Sequence, residues 1–303
     1  MNSLINTPFF LVLMFAKIFI LFFTVTAAYE RRDNCTKAIQ TLKAVMDKRF
    51  GKLERDIEVI ARGLNLLNPP ASPFTSCKEI HLKNGRSRGN TAYWLQTNTG
   101  KIPVYCHMTS HGIGGCGGGG WTLVMKIDGH KQTFHYDSSY WTNMADFNRP
   151  GGKTGFDHRE TKLPTYWSTP FSKICLGMKI GHQINFIVIN RPANSLYSLI
   201  ADGHYRSTSL DRNTWKSLIG FRASLQTNCN KQGFNVFPGN RGSSKARIGI
   251  LGNNEKNCGS CDSRIGFGTG GYRDNSNTCG NQATHNADNG DKHIKAMGYI
   301  LVQ

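Results

Sequence analysis

The stretch CGGGGWTLV, residues 116–124, places four consecutive glycines directly before a tryptophan and an apolar run. A phosphate-binding loop of the P-loop type ends in Gly-Lys-Ser or Gly-Lys-Thr, but here Trp121 follows the last glycine and the next lysine is Lys126. A dinucleotide-binding fingerprint places its glycines between a strand and a helix, whereas residues 121–125 have the composition of a strand. The stretch therefore predicts a tight turn, where the backbone passes close to another segment before it enters a sheet.

The N-terminal segment has the pattern of a secretory signal. Residues 9–28 are almost wholly apolar and end in Thr26-Ala27-Ala28, which is typical of a signal-peptidase site. We expect a signal peptide over residues 1–28. The apolar run is also about 20 residues long, enough to span a bilayer, so a retained membrane anchor is the alternative. Either one predicts that the rest of the chain lies outside the cytosol.

Cysteine content agrees with that compartment, because disulfides persist in oxidising environments. The nine cysteines are Cys35, Cys77, Cys106, Cys116, Cys175, Cys229, Cys258, Cys261 and Cys279. The eight that follow residue 76 allow four internal bridges, and spacing alone does not give their connectivity. Cys35 is left over and is a candidate for a bond between chains.

Positive charge dominates the composition. The formal net charge is +18, from 37 basic and 19 acidic residues. Outside the cell the anionic partners of such a chain are acidic polysaccharides, acidic matrix proteins or a membrane surface, and we expect no nucleic acid. Lys83, Arg86 and Arg88, in HLKNGRSRG, form a candidate basic patch for anionic polymers. The alternative is that the charge serves only solubility.

A heptad seam occupies the segment after the signal. Its a and d positions are Met46, Phe50, Leu53, Ile57, Ile60, Leu64 and Leu67, and it extends back to Ile39. We expect residues 29–68 to form a short coiled-coil stalk that makes homo-oligomers. The alternative is one amphipathic helix lying on the next domain. Three prolines in residues 69–73 end the helix and predict a stiff linker over residues 69–75.

Residues 76–303 predict one large domain of the α+β class, β-rich with long loops and disulfides. Apolar, β-branched runs predict strands over residues 102–108, 121–127, 184–189, 246–251 and 296–302. Glycine, asparagine, serine and aspartate dominate residues 143–154 and 258–290, which we interpret as long loops held by disulfides.

Several motifs of this domain resemble the fibrinogen-related family. SCKEI at 76–80, YWL at 93–95, VYCHMTS at 104–110 and WTLV at 121–124 occur in the order of that family's opening subdomain, and the first is closest to its intelectin branch. The resemblance implies a fibrinogen C-terminal-like fold. It also implies that Cys77 pairs with Cys106.

The C-terminal half resembles the same family in outline, since RIGFG leads through GGY into RDNSNTC, residues 273–279. That last run is similar to the family's calcium loop, and calcium prefers six to eight oxygen ligands. Candidate ligands are Asp274, Ser276, Asn277, Asp288 and Asp291. The alternative is that these residues only form turns. The first loop has one carboxylate where the family has two, and the family's aromatic acetyl-binding wall is missing after Cys279.

Enzymatic chemistry finds no support in the sequence. No Gly-x-Ser-x-Gly or His-Glu-x-x-His motif occurs, and the ten histidines are scattered. Cys258-Gly-Ser-Cys261 has the spacing of a redox motif, but no second motif of this kind accompanies it, which favours structural disulfides. Asn34-Cys35-Thr36 is a sequon for N-glycosylation at Asn34.

Together these observations predict a secreted, non-enzymatic component of an extracellular matrix. A basic, secreted chain with a stalk is similar to the fibrinogen-like proteins of coral skeletal organic matrix, which implies a role in a biomineral matrix and partners among matrix polysaccharides and acidic matrix proteins. The alternative function is a calcium-dependent, glycan-binding lectin that recognises foreign surfaces.

Overall fold

The computed structural model describes residues 45–54, 56, 74–83 and 89–303. The chain divides into two units, Met1–Ala71 and Ser72–Gln303. The predictions for the signal peptide, Asn34, Cys35, the linker at 69–73, Arg86 and Arg88 lie outside the described residues, as does most of the heptad seam. None of the described helices is long and apolar enough to cross a membrane.

In the first unit, residues 45–54 and 56 are helical. Two of the predicted seam residues in this helix, Phe50 and Leu53, are 50% and 41% exposed in the single chain. The helix is therefore present where the structure describes the seam, with apolar side chains on its surface.

The second unit is built mainly from β-strands. Its α-helices are α1 (Cys77–Lys83), α2 (Thr165–Ser168), α3 (Leu196–Ile200) and α4 (Arg212–Ser217). Its strands are β1 (Thr91–Thr97), β2 (Gly100–His107), β3 (Trp121–Asp128), β4 (Thr161–Lys162), β5 (Phe171–Ile180), β6 (Gln183–Ala193), β7 (Arg206–Ser207), β8 (Asn228–Val236), β9 (Lys245–Asn253), β10 (Ser263–Gly270), β11 (Cys279–Ala283), β12 (Lys292–Lys295) and β13 (Met297–Val302). The sequence prediction of a β-rich domain is confirmed.

The strands form two antiparallel sheets. The first has the order β1-β2-β3-β13-β5-β6, with β4 also paired to β3, and the second has the order β12-β11-β10-β9-β8-β7. β13 lies between β3 and β5, so the strand that comes last in the described chain occupies the middle of the first sheet. β3 and β13 are buried along nearly their whole length, as their apolar sequences require.

All five predicted strands are present, but the interpretation of residues 258–290 as one long loop is wrong. This segment contains β10 and β11, and every residue of both strands is buried. Their sequences, SRIGFGTG and CGNQA, are rich in glycine and polar residues because the backbones pack closely. A Cβ added to Gly266 would lie 2.5 Å from the carbonyl oxygen of Ile248 on β9.

The glycine run before β3 makes the predicted turn. Gly117, Gly118 and Gly120 have φ of +54°, +62° and +87°, a region that favours glycine. A Cβ on Gly119 would lie 2.0 Å from the carbonyl oxygen of Met108. The amide of Gly120 donates a hydrogen bond to the carbonyl of His107 over 2.8 Å. The turn therefore sets the backbone against the end of β2, and the chain enters β3 directly afterwards.

Three disulfides cross-link the second unit. Cys77 on α1 is bonded to Cys106 on β2, Cys116 to Cys175 on β5, and Cys229 on β8 to Cys258 in the loop after β9. The first is the pairing that the family resemblance implied.

The expectation of a fourth internal bridge is wrong in this structure, because Cys261 and Cys279 are both buried free thiols. They belong to different hydrophobic clusters. Cys261 packs with Val236, Ala246 and Leu251, whereas Cys279 lies in the main core. That separation accounts for the missing bond.

Candidate functional site: a basic loop cluster

A buried arginine organises the loop that follows β10. Arg264 is fully buried, and its guanidinium donates hydrogen bonds to the carbonyl oxygens of Tyr272 and Asp274, each over 2.6 Å. Longer hydrogen bonds reach the carbonyls of Gly271 and Asn277, at 3.3 Å each. Burial lowers the pKa of Arg264 to about 9, so the side chain stays charged near neutrality. A cation of the protein itself thus holds this loop together.

The same loop is tied to its neighbour, residues 239–243. The amide of Tyr272 donates to the carbonyl of Gly242 over 2.7 Å, and the Ser244 hydroxyl donates to the carbonyl of Tyr272 over 2.6 Å. Gly271 has φ +82°, and a Cβ there would lie 1.9 Å from the carbonyl oxygen of Ser243. The backbone at Tyr272 is therefore fixed, while its side chain is 38% exposed.

A third loop, after β11, brings a histidine against that tyrosine. The rings of Tyr272 and His285 stack with centroids 5.9 Å apart and an interplanar angle of 23°. His285 and Asn286 both have left-handed backbones, with φ of +54° and +61°. Non-glycine residues in this region are uncommon and cluster at binding sites. Gln226 supports the turn by donating its side-chain amide to the carbonyl of His285 over 3.2 Å.

We call Arg241, Tyr272, Arg273 and His285 the basic loop cluster. Arg241 and Arg273 are exposed and stand in the two loops that the Tyr272 amide joins. Neither arginine forms an ion pair with any of the described residues. Guanidinium groups bind sulfate and carboxylate through paired hydrogen bonds, and an exposed aromatic ring offers a flat apolar face. The cluster therefore has the chemistry to hold an acidic sugar unit.

The candidate calcium ligands in the first loop are engaged by the protein. One carboxylate oxygen of Asp274 accepts from the amide and hydroxyl of Ser276, over 2.8 and 2.6 Å. The other lies 3.9 Å from the ammonium of Lys295. Asn277 donates its amide to the carbonyl of Ile294 over 3.0 Å, and its side-chain oxygen is buried without a hydrogen-bond partner among the described residues.

Asp288, in the second loop, is held by two cations. Its carboxylate lies 2.8 Å from the guanidinium of Arg212 and 2.6 Å from the ammonium of Lys216. It also accepts from the amide of Leu225 over 3.0 Å. Burial would raise the pKa of Asp288, but the hydrogen bonds from Lys216 and Arg212 outweigh it and lower that pKa. Asp291 is exposed.

These contacts do not fit a calcium site. In the first loop, the Arg264 guanidinium donates to the backbone carbonyls of Asp274 and Asn277, and in the second loop Arg212 and Lys216 pair with the carboxylate of Asp288. Calcium needs six or more oxygens, and among the described candidate ligands only Asn277 offers a buried side-chain oxygen without a partner. Across residues 45–54, 56, 74–83 and 89–303, no group of three or more His, Cys, Asp or Glu side chains is arranged to hold a metal ion.

The predicted anionic-polymer patch is described at one position. Lys83 is exposed at the end of α1, and its ammonium lies 5.6 Å from the centroid of the Phe74 ring. Arg86 and Arg88 belong to the part of the chain without a description.

Ion pairs with lysine or arginine engage seven of the thirteen described carboxylates of the second unit, namely Asp128, Asp137, Asp146, Asp157, Asp202, Asp274 and Asp288. Asp262 lies 3.6 Å from the ring of His285. By contrast, some exposed or partly exposed cations have no carboxylate partner among the described residues, namely Lys78, Lys101, Lys173, Arg191, Arg222, Arg241, Lys256 and Arg273. The excess positive charge therefore lies on the surface.

Sequence reasoning missed the basic loop cluster. Its residues come from three separate loops, which meet through the hydrogen bond from the Tyr272 amide to Gly242 and through the stacking of Tyr272 on His285. Arg241 and Arg273 each stand in glycine- and asparagine-rich segments without a recognisable motif. In comparisons with known proteins, no family model matches the chain, and no curated protein sequence matches it.

Proposed function

We propose that this protein is a secreted, non-enzymatic member of the fibrinogen-related family that binds anionic polymers in an extracellular matrix, of the kind found in mineralised skeletons. Sulfated or carboxylated polysaccharides and acidic matrix proteins are its partners. The family motifs at 76–124 and the Cys77–Cys106 bridge support the membership. Disulfides within the domain support an extracellular location.

The distribution of charge carries the functional part of the proposal. The chain has 18 more positive than negative charges. Seven of the thirteen described carboxylates of the second unit are paired with neighbouring lysines or arginines, and exposed arginines are left without carboxylate partners among the described residues. The basic loop cluster adds an exposed Tyr272–His285 stack to two of those arginines. The sulfate or carboxylate groups of a polyanion accept hydrogen bonds from the two arginines, and its sugar rings can lie on the exposed ring of Tyr272.

In this proposal the oligomer binds the polymer more tightly than a single domain does. The stalk holds several domains together, so that after one domain binds a repeating polymer the others are at high effective concentration, and weak individual contacts give a high overall avidity. Binding is independent of calcium, because protein cations engage the loop oxygens.

The test is binding of the secreted full-length protein to heparin, a sulfated polysaccharide, at salt from about 0.1 M to about 1 M, where screening becomes severe. We expect the affinity to fall at least about tenfold over that range and to be the same in calcium and in EDTA. Affinity that does not change with salt would contradict ionic binding.

Matched charge-removal variants locate the site. Arg241→Gln with Arg273→Gln removes two charges from the basic loop cluster, and Lys101→Gln with Lys256→Gln removes two exposed charges elsewhere. We expect about a tenfold loss of affinity in the first pair, and about a twofold loss in the second. Tyr272→Ala should weaken binding further. Equal losses in the two pairs would exclude the cluster as the binding site.

The competing function, a calcium-dependent lectin, is decided by the same measurement. Capture of defined neutral sugars that EDTA abolishes would favour the lectin and contradict the matrix-polymer proposal. Such a result would make the unpaired side-chain oxygen of Asn277 a calcium ligand. It would also require some of the hydrogen bonds from Arg264 to the loop carbonyls to break.

A further inference from the structure

A free thiol lies beside a disulfide on the second sheet. The Sγ of Cys261 is 3.7 Å from the Sγ of Cys229, which is bonded to Cys258. The thiol also lies 3.6 Å from the carbonyl oxygen of Cys258. Thiol–disulfide exchange requires a thiolate to reach one sulfur of a disulfide, and here the two sulfurs are already in contact.

The backbone of β8 creates this contact. The pairing of β8 with β9 is irregular between Asn228 and Lys231. Cys229 and Asn230, inside that bulge, have left-handed φ of +64° and +54°. A bulge redirects side chains and often stands at functional positions. Here it brings Cys229 within reach of both Cys258 and Cys261.

The three cysteines fall into two classes of exposure. Cys261 is fully buried in a small apolar cluster, whereas Cys229 and Cys258 are both partly exposed. The residues on either side of Cys258, at 254–257 and 259–260, are all exposed. A reagent in solution can therefore approach Cys258, while Cys261 is shielded.

We propose that Cys229, Cys258 and Cys261 form a thiol–disulfide exchange site, at which Cys258 becomes covalently linked to an external disulfide. In the first step the thiol of Cys261 loses its proton to water, and its thiolate attacks Cys229. The Cys229–Cys261 bond forms, the Cys229–Cys258 bond breaks, and Cys258 leaves as a thiolate. This step is an isomerisation and needs no oxidant.

In the second step the Cys258 thiolate attacks an external disulfide, either small or belonging to another protein. A mixed disulfide forms on Cys258, and the other half of the reagent leaves as a thiolate that takes up a proton. The protein thereby gains one partner without losing an internal bridge. Such a site would let the protein become fixed covalently to a matrix that contains disulfides.

The charge around Cys261 sets how fast the first step occurs. Burial raises the pKa of the Cys261 thiol to about 11. Asp262, its neighbour in the chain, and Glu255, in the loop after β9, add to that effect, while Lys231 on β8 opposes it. Cys261 is therefore a thiol at rest, and exchange becomes faster as pH rises toward that pKa.

The experiment treats native full-length protein with glutathione disulfide and identifies modified cysteines by mass spectrometry of peptides. We expect glutathione on Cys258 together with a Cys229–Cys261 bridge. Cys261→Ser should reduce the modification of Cys258 at least about tenfold. Cys279→Ser is the matched control, because Cys279 is also buried and free but lies in a core cluster that contains no disulfide cysteine among its described members. It should leave the modification unchanged.

A second variant tests the exchange without any reagent. In Cys258→Ser the two remaining sulfurs are in contact, so we expect peptide mapping of the secreted, oxidised protein to find the Cys229–Cys261 bridge. Free Cys229 and Cys261 thiols in that variant would overturn the proposal, as would equal modification of Cys258 in wild type and Cys261→Ser. Near-ultraviolet circular dichroism confirms that each variant is folded.

Discussion

At the scale of single residues, a buried charged side chain holds a surface loop of the second unit in place. Arg264 is surrounded by carbonyl oxygens rather than carboxylates, and it fixes the loop that carries Tyr272 and Arg273. Arg264, together with Arg212 and Lys216 at Asp288, thus engages oxygen atoms of the two candidate calcium loops. That arrangement makes the loop a preformed part of the basic loop cluster.

Replacing Arg264 by lysine should show how much of the stability depends on the guanidinium. Lysine keeps the charge but has one short ammonium in place of the fork of donors, so several buried carbonyls lose their partners. We expect the free energy of unfolding to fall by about 2–3 kcal/mol, measured by urea denaturation. Arg273→Lys, at an exposed position in the same loop, should change it by less than about 0.5 kcal/mol. Equal effects would contradict the role of Arg264.

Asp288 should contribute stability that depends on pH. Its pKa is lower in the folded protein than in the unfolded chain, so its contribution is complete above the unfolded pKa, near 4, and is lost as pH falls through the folded pKa. We expect Asp288→Asn to lower the free energy of unfolding by about 2 kcal/mol at pH 7, because the carboxylate loses charged hydrogen bonds from Arg212 and Lys216. The difference from wild type should shrink below about pH 4.

Denaturation curves at several pH values check this prediction, with Asp291→Asn as control. Asp291 is exposed in the same loop, and Arg212 and Lys216 pair with Asp288 rather than with Asp291 among the described contacts. A pH-independent effect of Asp288→Asn would show that its ion pairs do not stabilise the fold.

At the scale of elements, sequence reasoning succeeded where a strand is apolar and failed where it is not. β3 and β13 were predicted because apolar residues fill them. β10 and β11 were missed for two reasons. The backbones of β9 and β10 lie so close together at Gly249 and Gly266 that only glycine fits. Asn281 is a polar residue whose buried side chain donates hydrogen bonds to two backbone carbonyls, so β11 lacks an apolar pattern. The sequence of one strand cannot predict such a contact, because the contact depends on which strand lies beside it.

The glycine turn offers a test at this scale. Gly119→Ala would place a methyl group 2.0 Å from the Met108 carbonyl oxygen, so the end of β2 and the start of β3 must move apart. We expect a loss of about 2 kcal/mol in the free energy of unfolding. Gly242→Ala is the control, because its nearest neighbour would be 3.6 Å away, an ordinary contact. A tolerated Gly119→Ala would mean that the close approach does not constrain the fold.

At the scale of the whole molecule, we propose that assembly depends on the helix that contains Phe50 and Leu53. Both side chains are substantially exposed in the single chain, and the heptad positions predict that a second copy covers them. We expect the purified full-length protein to be oligomeric in light scattering, and Phe50→Glu to shift it toward monomer. Lys52→Glu, which adds the same side chain outside the seam, should leave the oligomer intact. A monomeric wild type would refute the stalk.

The position of β13 has a consequence for how the protein is made. β3 and β5 cannot be joined until residues 297–302 have emerged from the ribosome, because β13 lies between them. During synthesis both strands present open edges, which are prone to aggregation and attract chaperones. A messenger RNA with an early stop codon would leave those edges open permanently, so protein quality control should remove shortened chains and spare only those that contain the central strand.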